Sequence, residues 1–413
     1  MSRRVFQAHS VAPFPSRQRW LSCLLLCLLV PEIANAAPPE DRAVRSGEKP
    51  TSAEVAARAD SQVDSKDSSK VDPGGITGLP IVSYGPETSL LLGGMLLYRF
   101  DIHPEQVAAA RAKGEKPARK SVLNLFAAYT LKNQVVFLFD PSLYLDRERW
   151  RLSGTYAVVI FPDQLYAPGQ DSPASFERYS QRILSGSANL ERQVVGQLRL
   201  GGGLSATHAQ MLESEDGGLL ATDQILGSDG GLFLGAGPNI AWDNRDKDTA
   251  TRSGGRHELS LRGHPQALGG EYGFTQTTVQ LRQFIRVWRD QVLAAEIYGR
   301  FNYGDVPFQK MAALGGSSRM RGYYRGRYRD HHQVAAQLEY RLPIWWRFGM
   351  VGFVGVGNVA RKLTVFALDD PKFAGGGGAR FALSPKERVN VRIDFAANRE
   401  GQRNLYIGIS EAF

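Results

Sequence analysis

Two stretches of this chain alternate, residue by residue, between apolar and polar side chains, and that alternation restricts the fold more than any other feature. Residues 291–304 put Leu293, Ala295, Ile297, Phe301 and Tyr303 on one side and Glu296, Tyr298, Arg300 and Asn302 on the other. Residues 332–342 put Val334, Ala336, Leu338, Tyr340 and Leu342 opposite Gln333, Gln337, Glu339 and Arg341. A period of two means strands with two chemically different faces. Between them lies the stretch LGGSSRMRGYYRGRYRD, with arginines at 319, 321, 325, 327 and 329 among glycines and tyrosines. It is too long and too basic for a tight turn, so its charge has to be received somewhere.

Similar segments recur along the chain. The pattern predicts strands at 80–84, 89–100, 121–131, 135–145, 150–161, 177–190, 193–212, 231–243, 257–263 and 272–288, then the pair above, then 349–359, 373–383, 388–397 and 403–413. Residues 85–88 read as a turn, 101–120 as a basic connector and 162–176 as a loop. The total is about sixteen, and bacterial single-chain membrane barrels have an even number of strands. Many of these segments reach the ~9–11 residues that a tilted strand needs to cross hydrocarbon, whereas globular strands average ~5–6. Arg151, Glu296, Arg300, Glu339, Arg341, Arg392 and Asp394 sit inside strands, on faces that must be wet. Trp150, Trp242, Trp288, Trp345, Trp346 and Phe413 lie near strand ends, where interfacial girdles form. The fold class expected is all-β: a transmembrane antiparallel β-barrel rather than a soluble sandwich.

The N-terminus supports export. Arginines precede an apolar run at 20–30, Pro31 follows, and Ala34-Asn35-Ala36 has the small-x-small form of a cleavage site. Residues 1–36 therefore read as a signal peptide. Cys23 and Cys27 both lie inside it, so disulfide and thiolate chemistry are not expected after cleavage. Residues 37–78, rich in Ser, Asp, Lys, Ala and Pro, read as a disordered periplasmic tail, and 79–413 as the barrel domain. The formal charge is +9. Arg3, Arg4, Arg17 and Arg19 against Glu32 make the leader +3, which leaves +6. That balance suits a lipopolysaccharide-rich leaflet, and no nucleic-acid motif accompanies it.

The residues also carry a family likeness. From about residue 79 to 413 the chain resembles the barrel domain of the BamA/TamA superfamily, the bacterial surface antigen family. The resemblance rests first on the tetrad Met320-Arg321-Gly322-Tyr323, preceded by Gly315-Gly316-Ser317-Ser318. It is extended by the turn holding Asp243, Arg245 and Asp246, by the opening Tyr84-Gly85-Pro86-Glu87-Thr88, and by the ending Tyr406-Ile407-Gly408 through Phe413. The likeness implies that extracellular loop 6 folds into the lumen and that carboxylates on the twelfth and thirteenth strands receive its arginine. Glu339 is the twelfth-strand match. The thirteenth-strand position is Gly355, where the family usually has aspartate, and Asp394 on the fifteenth strand is the candidate replacement. Tyr406, Gly408 and Phe413 match a C-terminal assembly signal whose outward positions are Leu405, Ile407, Ile409 and Phe413, with Glu411 as a departure.

The resemblance further implies a factor that inserts or moves polypeptides through a seam between the first and last strands. The first strand, read as 80–84, would be too short to hold that seam firmly. The alternative is a plugged channel or surface antigen without insertase activity. The tail before residue 79 is too short and polar for a POTRA domain, so the expectation is a barrel-only member. Expected partners are outer-membrane lipid and lipopolysaccharide, the barrel-assembly machinery for its own insertion, and polypeptide clients, with the barrel itself a monomer. No enzymatic role, metal or cofactor is expected. The aspartates at 243–248 have the wrong spacing for an EF-hand, glycines 201–203 and 375–378 lack the rest of a phosphate loop, and His331-His332 lacks further ligands. No Gly-x-Ser-x-Gly motif is present.

Overall fold

The alternation resolves into an inside and an outside. On the strand His332–Trp345, Leu338 and Tyr340 are exposed while Gln337, Glu339 and Arg341 are buried. This inverts the arrangement of a soluble sheet: apolar side chains face out and charged ones face in, as lipid around a closed wall demands.

The computed structural model describes residues 75–114, 119–366, 370–385 and 388–413. The leader read at 1–36 and nearly all of the tail read at 37–78 lie outside them. The strands are β1 (Gly75–Gly85), β2 (Ser89–Phe100), β3 (Ser121–Thr130), β4 (Val135–Leu145), β5 (Trp150–Tyr166), β6 (Phe176–Val195), β7 (Leu198–Ser214), β8 (Gly230–Asp243), β9 (Gly254–His264), β10 (Phe274–Arg286) and β11 (Val292–Gly304). After them come a small hairpin, β12 (Ala312–Leu314) with β13 (Tyr328–Asp330), and then β14 (His332–Trp345), β15 (Phe348–Ala360), β16 (Lys372–Ser384), β17 (Val389–Asn398) and β18 (Arg403–Ile409). Omitting β12 and β13, sixteen antiparallel strands form a closed barrel in which β1 meets β18. No helix among the described residues is long and apolar enough to cross a membrane.

Four expectations need correction. The first strand begins at Gly75, not at residue 80, so its first four residues belong to the barrel and not to the tail read at 37–78. Its full length pairs with β2, from Gly75↔Arg99 to Gly85↔Ser89. Glycines at 75 and 78 hide the alternation there. The basic connector holds a helix, α1 (Pro104–Ala112), whose first turn tolerates a proline that lacks an N–H. The loop read at 162–176 is shorter, 167–175, because β5 and β6 stay in register as far as Tyr166↔Phe176. Packing of Leu165 and Tyr166 inside the barrel overrides the Pro and Asp signals. Finally, β18 stops at Ile409. Ser410 takes φ 71°, a left-handed conformation that ends the strand.

Candidate functional site

The loop between β11 and β14 turns inward, and each part of it is received by a different wall of the barrel. Arg321 lies at its tip and is fully buried. Its Nη1 is 2.6 Å from Asp394 Oδ2 on β17, and its Nη2 is 2.5 Å from Glu339 Oε2 on β14. The guanidinium also lies 3.5 Å from the centre of the Phe353 ring. Such a fork needs two acceptors in one place, because an unpaired buried charge is costly.

The missing aspartate at 355 has a steric counterpart. A Cβ added at Gly355 on β15 would lie 3.1 Å from Met320 Sδ, so the bare position gives the thioether room. Asp394 takes the second Nη instead. Both carboxylates are shared: Arg341 Nε reaches Glu339 at 2.8 Å, and Arg380 Nη1 reaches Asp394 at 2.6 Å.

Gly322 binds the last barrel strand and the end of β17. Its N–H donates to Tyr406 Oη at 3.0 Å, and its carbonyl accepts from Asn398 Nδ2 at 2.9 Å and Asn404 Nδ2 at 2.7 Å. The backbone sits at φ 115°, where only glycine is comfortable, and a Cβ would lie 3.1 Å from the Ala397 carbonyl oxygen. Tyr323 is buried with Met320, Leu314, Val359 and Ala374 and meets Tyr328 edge-on.

The rest of the loop has receivers that sequence reasoning missed. Arg319 pairs with Glu296 on β11 at 3.3 Å and lies 3.8 Å from the Tyr298 ring centre. Tyr324 donates to Asp163 at 2.6 Å, and the Arg325 amide donates to Glu87 at 2.9 Å. Arg327 pairs with Glu400 at 3.4 Å, and Tyr328 also donates to that carboxylate. Glu296 was legible as a polar-face residue. Glu87 and Glu400 sit in turns, where no periodicity marks which way a side chain points.

The turn after β8 is a separate cluster at the other end of the barrel. Arg245 holds Asp243 at 2.9 Å and Asp248 at 3.0 Å, and Asp246 pairs with Arg388 at 2.6 Å. Burial alone would raise the Asp246 pKa, but Arg388 and the amides of Arg252 and Ser253 hold it below the ordinary carboxylate range. Among the described residues no group of His, Cys, Asp and Glu is arranged to hold a metal. His331 faces Arg361, 3.2 Å away, and His332 packs beside Tyr303.

The expected C-terminal signal is only partly arranged as such. Leu405 is exposed, Ile407 and Ile409 are half-buried, and Tyr406 points inward to Gly322. Gly408 stands opposite Arg392 in the β17–β18 ladder. Phe413 is not on the strand and does not face outward: it packs inside against Phe284 and Val292. Glu411, expected as a charge beside lipid, also turns inward, 2.7 Å from Arg380 Nε. The kink at Ser410 rotates both.

The closed barrel encloses the β11–β14 loop as a buried finger. Residues 127–413 match the Omp85 superfamily domain. The chain belongs to the Omp85 superfamily.

Solved Omp85-type barrels share the fold at low identity. The structure is similar to BamA from Haemophilus ducreyi lacking POTRA domains 1–3, with TM-score 0.55 and 14% identity over 82% of this chain and 70% of that one. It is also similar to CdiB from Acinetobacter baumannii, with TM-score 0.52 and 13% identity over 81% of this chain and 59% of the other. CdiB from Escherichia coli aligns with TM-score 0.54 and 11% identity over 81% of this chain. The chain thus spans 59% and 62% of the two CdiB chains. No curated protein matches it. Membership in the superfamily implies an outer-membrane location in Gram-negative bacteria.

Proposed function

We propose that this Omp85 barrel is a non-enzymatic factor that passes or inserts polypeptides at the outer membrane, through the seam between β1 and β18. The observation that carries the reading is the thinness of that seam. Among the described residues its register is a single pair, Tyr84↔Ile407, while β1 pairs with β2 along its whole length. Pro80 lies in β1 and has no N–H to offer. The weakness follows from sparse pairing, not from the short first strand that the sequence suggested. In this reading, residues 320–323, with Arg321 held by Glu339 and Asp394, brace the wall while the seam opens. Residues 405–409 serve as part of the chain's own assembly signal, read by the barrel-assembly machinery. The barrel acts as a monomer among lipid and lipopolysaccharide.

The test places cysteines at Tyr84 and Ile407, which already face each other. Oxidation is expected to abolish insertion of an unfolded outer-membrane polypeptide into liposomes carrying the barrel, and reduction to restore it. Undiminished insertion by the oxidised barrel would overturn the seam, and no insertion by the reduced barrel would overturn the reading altogether and leave a plugged channel or surface antigen. Planar-bilayer conductance would then separate those two.

A further inference from the structure

Residues 410–413 cross into the lumen at the end opposite the finger, and the walls there are built to hold them. The Ser410 amide donates to the Asn390 carbonyl at 2.7 Å. Glu411 accepts from Arg380 Nε at 2.7 Å and Asn390 Nδ2 at 2.6 Å, with its side chain 5% exposed. Phe413 packs on Phe284, with ring centres 6.3 Å apart, and beside the Arg341 guanidinium at 5.7 Å. Arg341 Nη2 also donates to the Phe413 main-chain carbonyl at 2.9 Å. The site therefore reads a carboxylate, a ring two residues later, the amide before the carboxylate and the carbonyl of the ring residue.

The charges of the wall require an occupant of this kind. Arg321, Arg341, Arg380 and Arg392 converge on Glu339 and Asp394. Four buried guanidiniums facing two carboxylates are short of negative charge, and Glu411 supplies a third. It also closes a ring of alternating charge: Arg321, Glu339, Arg341, Glu411, Arg380, Asp394 and back to Arg321. Occupancy of the site is thus coupled to the finger through two shared arginines.

We propose that Phe284, Val292, Arg341, Arg380 and Asn390 form a binding site for an extended polypeptide segment with an acidic residue two before an aromatic one, filled at rest by the chain's own residues 410–413. An incoming segment of the same chemistry displaces the resident one. Its use rests on the polypeptide-handling reading, but binding itself is measurable without any insertion activity.

The experiment uses the full chain in detergent and a fluorescein-labelled, amidated hexapeptide of sequence GISEAF, followed by anisotropy. The double variant Glu411→Gln/Phe413→Ala, with its own segment weakened, should bind the peptide at least about tenfold tighter than the unaltered chain. Replacing the peptide's glutamate by glutamine, or its phenylalanine by alanine, should weaken binding by a similar factor. Equal affinity for both chains, or indifference to those two peptide changes, would overturn the proposal. Should the double variant fail to fold, a photo-crosslinking amino acid at Phe284 in the otherwise unaltered chain reports the same exchange. Its crosslink to residues 410–413 should shift to the peptide at high peptide concentration, and a crosslink that never shifts would refute the site. A barrel that binds the peptide yet inserts nothing would lose the polypeptide-handling reading and keep the site.

Discussion

The wall formed by β5, β6 and β7 and the seam between β1 and β18 belong to one cylinder but are held by different means. In the wall, β5 and β6 pair without a break from Trp150↔Arg192 to Tyr166↔Phe176. At the seam the described register is Tyr84↔Ile407 alone, supplemented by Ser83 Oγ donating to the Ile407 carbonyl at 2.6 Å. Each ladder bond adds only ~1 kcal/mol net, but many in register make a cooperative wall. The seam has few of them, and the finger adds contacts on both of its sides. Gly322 grips Tyr406 and Asn404 on the β18 side, and Arg325 grips Glu87 beside β1. The difference teaches that one joint of a closed barrel can have few backbone pairs and added side-chain contacts from a loop, and on the proposed reading this is the joint that opens.

The change that tests this contrast most severely is Arg321→Ala. It leaves Glu339 and Asp394 buried with one guanidinium fewer, a loss on the order of 3 kcal/mol, since Arg341 and Arg380 remain in place. The unfolding temperature on a semi-native gel should fall. Amide exchange should rise at β1 and β18 while β5 and β6 stay protected. A uniform rise around the barrel would break the comparison, since the finger would then be a general core element and not a strap.

Gly322→Ala probes the same strap through the backbone. A side chain at φ 115°, 3.1 Å from the Ala397 carbonyl, should cost about 1–3 kcal/mol and again loosen β18 first. Tyr406→Phe is milder. It removes only the oxygen that accepts the Gly322 amide, and about 1 kcal/mol should be lost, read as a smaller fall in the urea midpoint. If Tyr406→Phe loosened the seam more than Gly322→Ala, the finger's grip would reside in that single bond.

The wall was readable in the sequence and the seam only in part, for physical reasons. Straight strands with one lipid face write their period directly, so β11 and the charged face of β14 were plain. Arg321 and Glu339 could be matched because each lies in a distinctive local pattern. Gly75–Gly85 was truncated because glycines carry no face. Glu411 was aimed at lipid because alternation assumes an unbroken strand, and one left-handed residue at Ser410 reverses that assumption. The roles of Glu87 and Glu400 depend on which turn a long loop touches, and nothing local encodes that. Asp394 could be nominated because alternation put it on the wet face of a strand, and only β15 and β16 separate β17 from β14.

The weakest expected effect lies at the end away from the finger and serves as a control on the contrast. Asp246 is exposed and pairs with Arg388, so its pair should contribute about half a kcal/mol or less. Its pKa in the folded barrel is depressed, so the folded state binds a proton there less readily than the unfolded chain. The stabilisation is therefore present above the ordinary carboxylate pKa and fades as pH falls through the lower folded value. Acidification from about pH 5 to pH 2 should free the amides of Arg252 and Ser253, which donate to Asp246, as seen by faster intrinsic-rate-corrected exchange. Asp246→Asn should remove that pH dependence at the turn and leave exchange at β1 and β18 unchanged. Loosening of the seam by this substitution would mean that the two ends of the barrel are coupled, and that the finger is not the only strap across it.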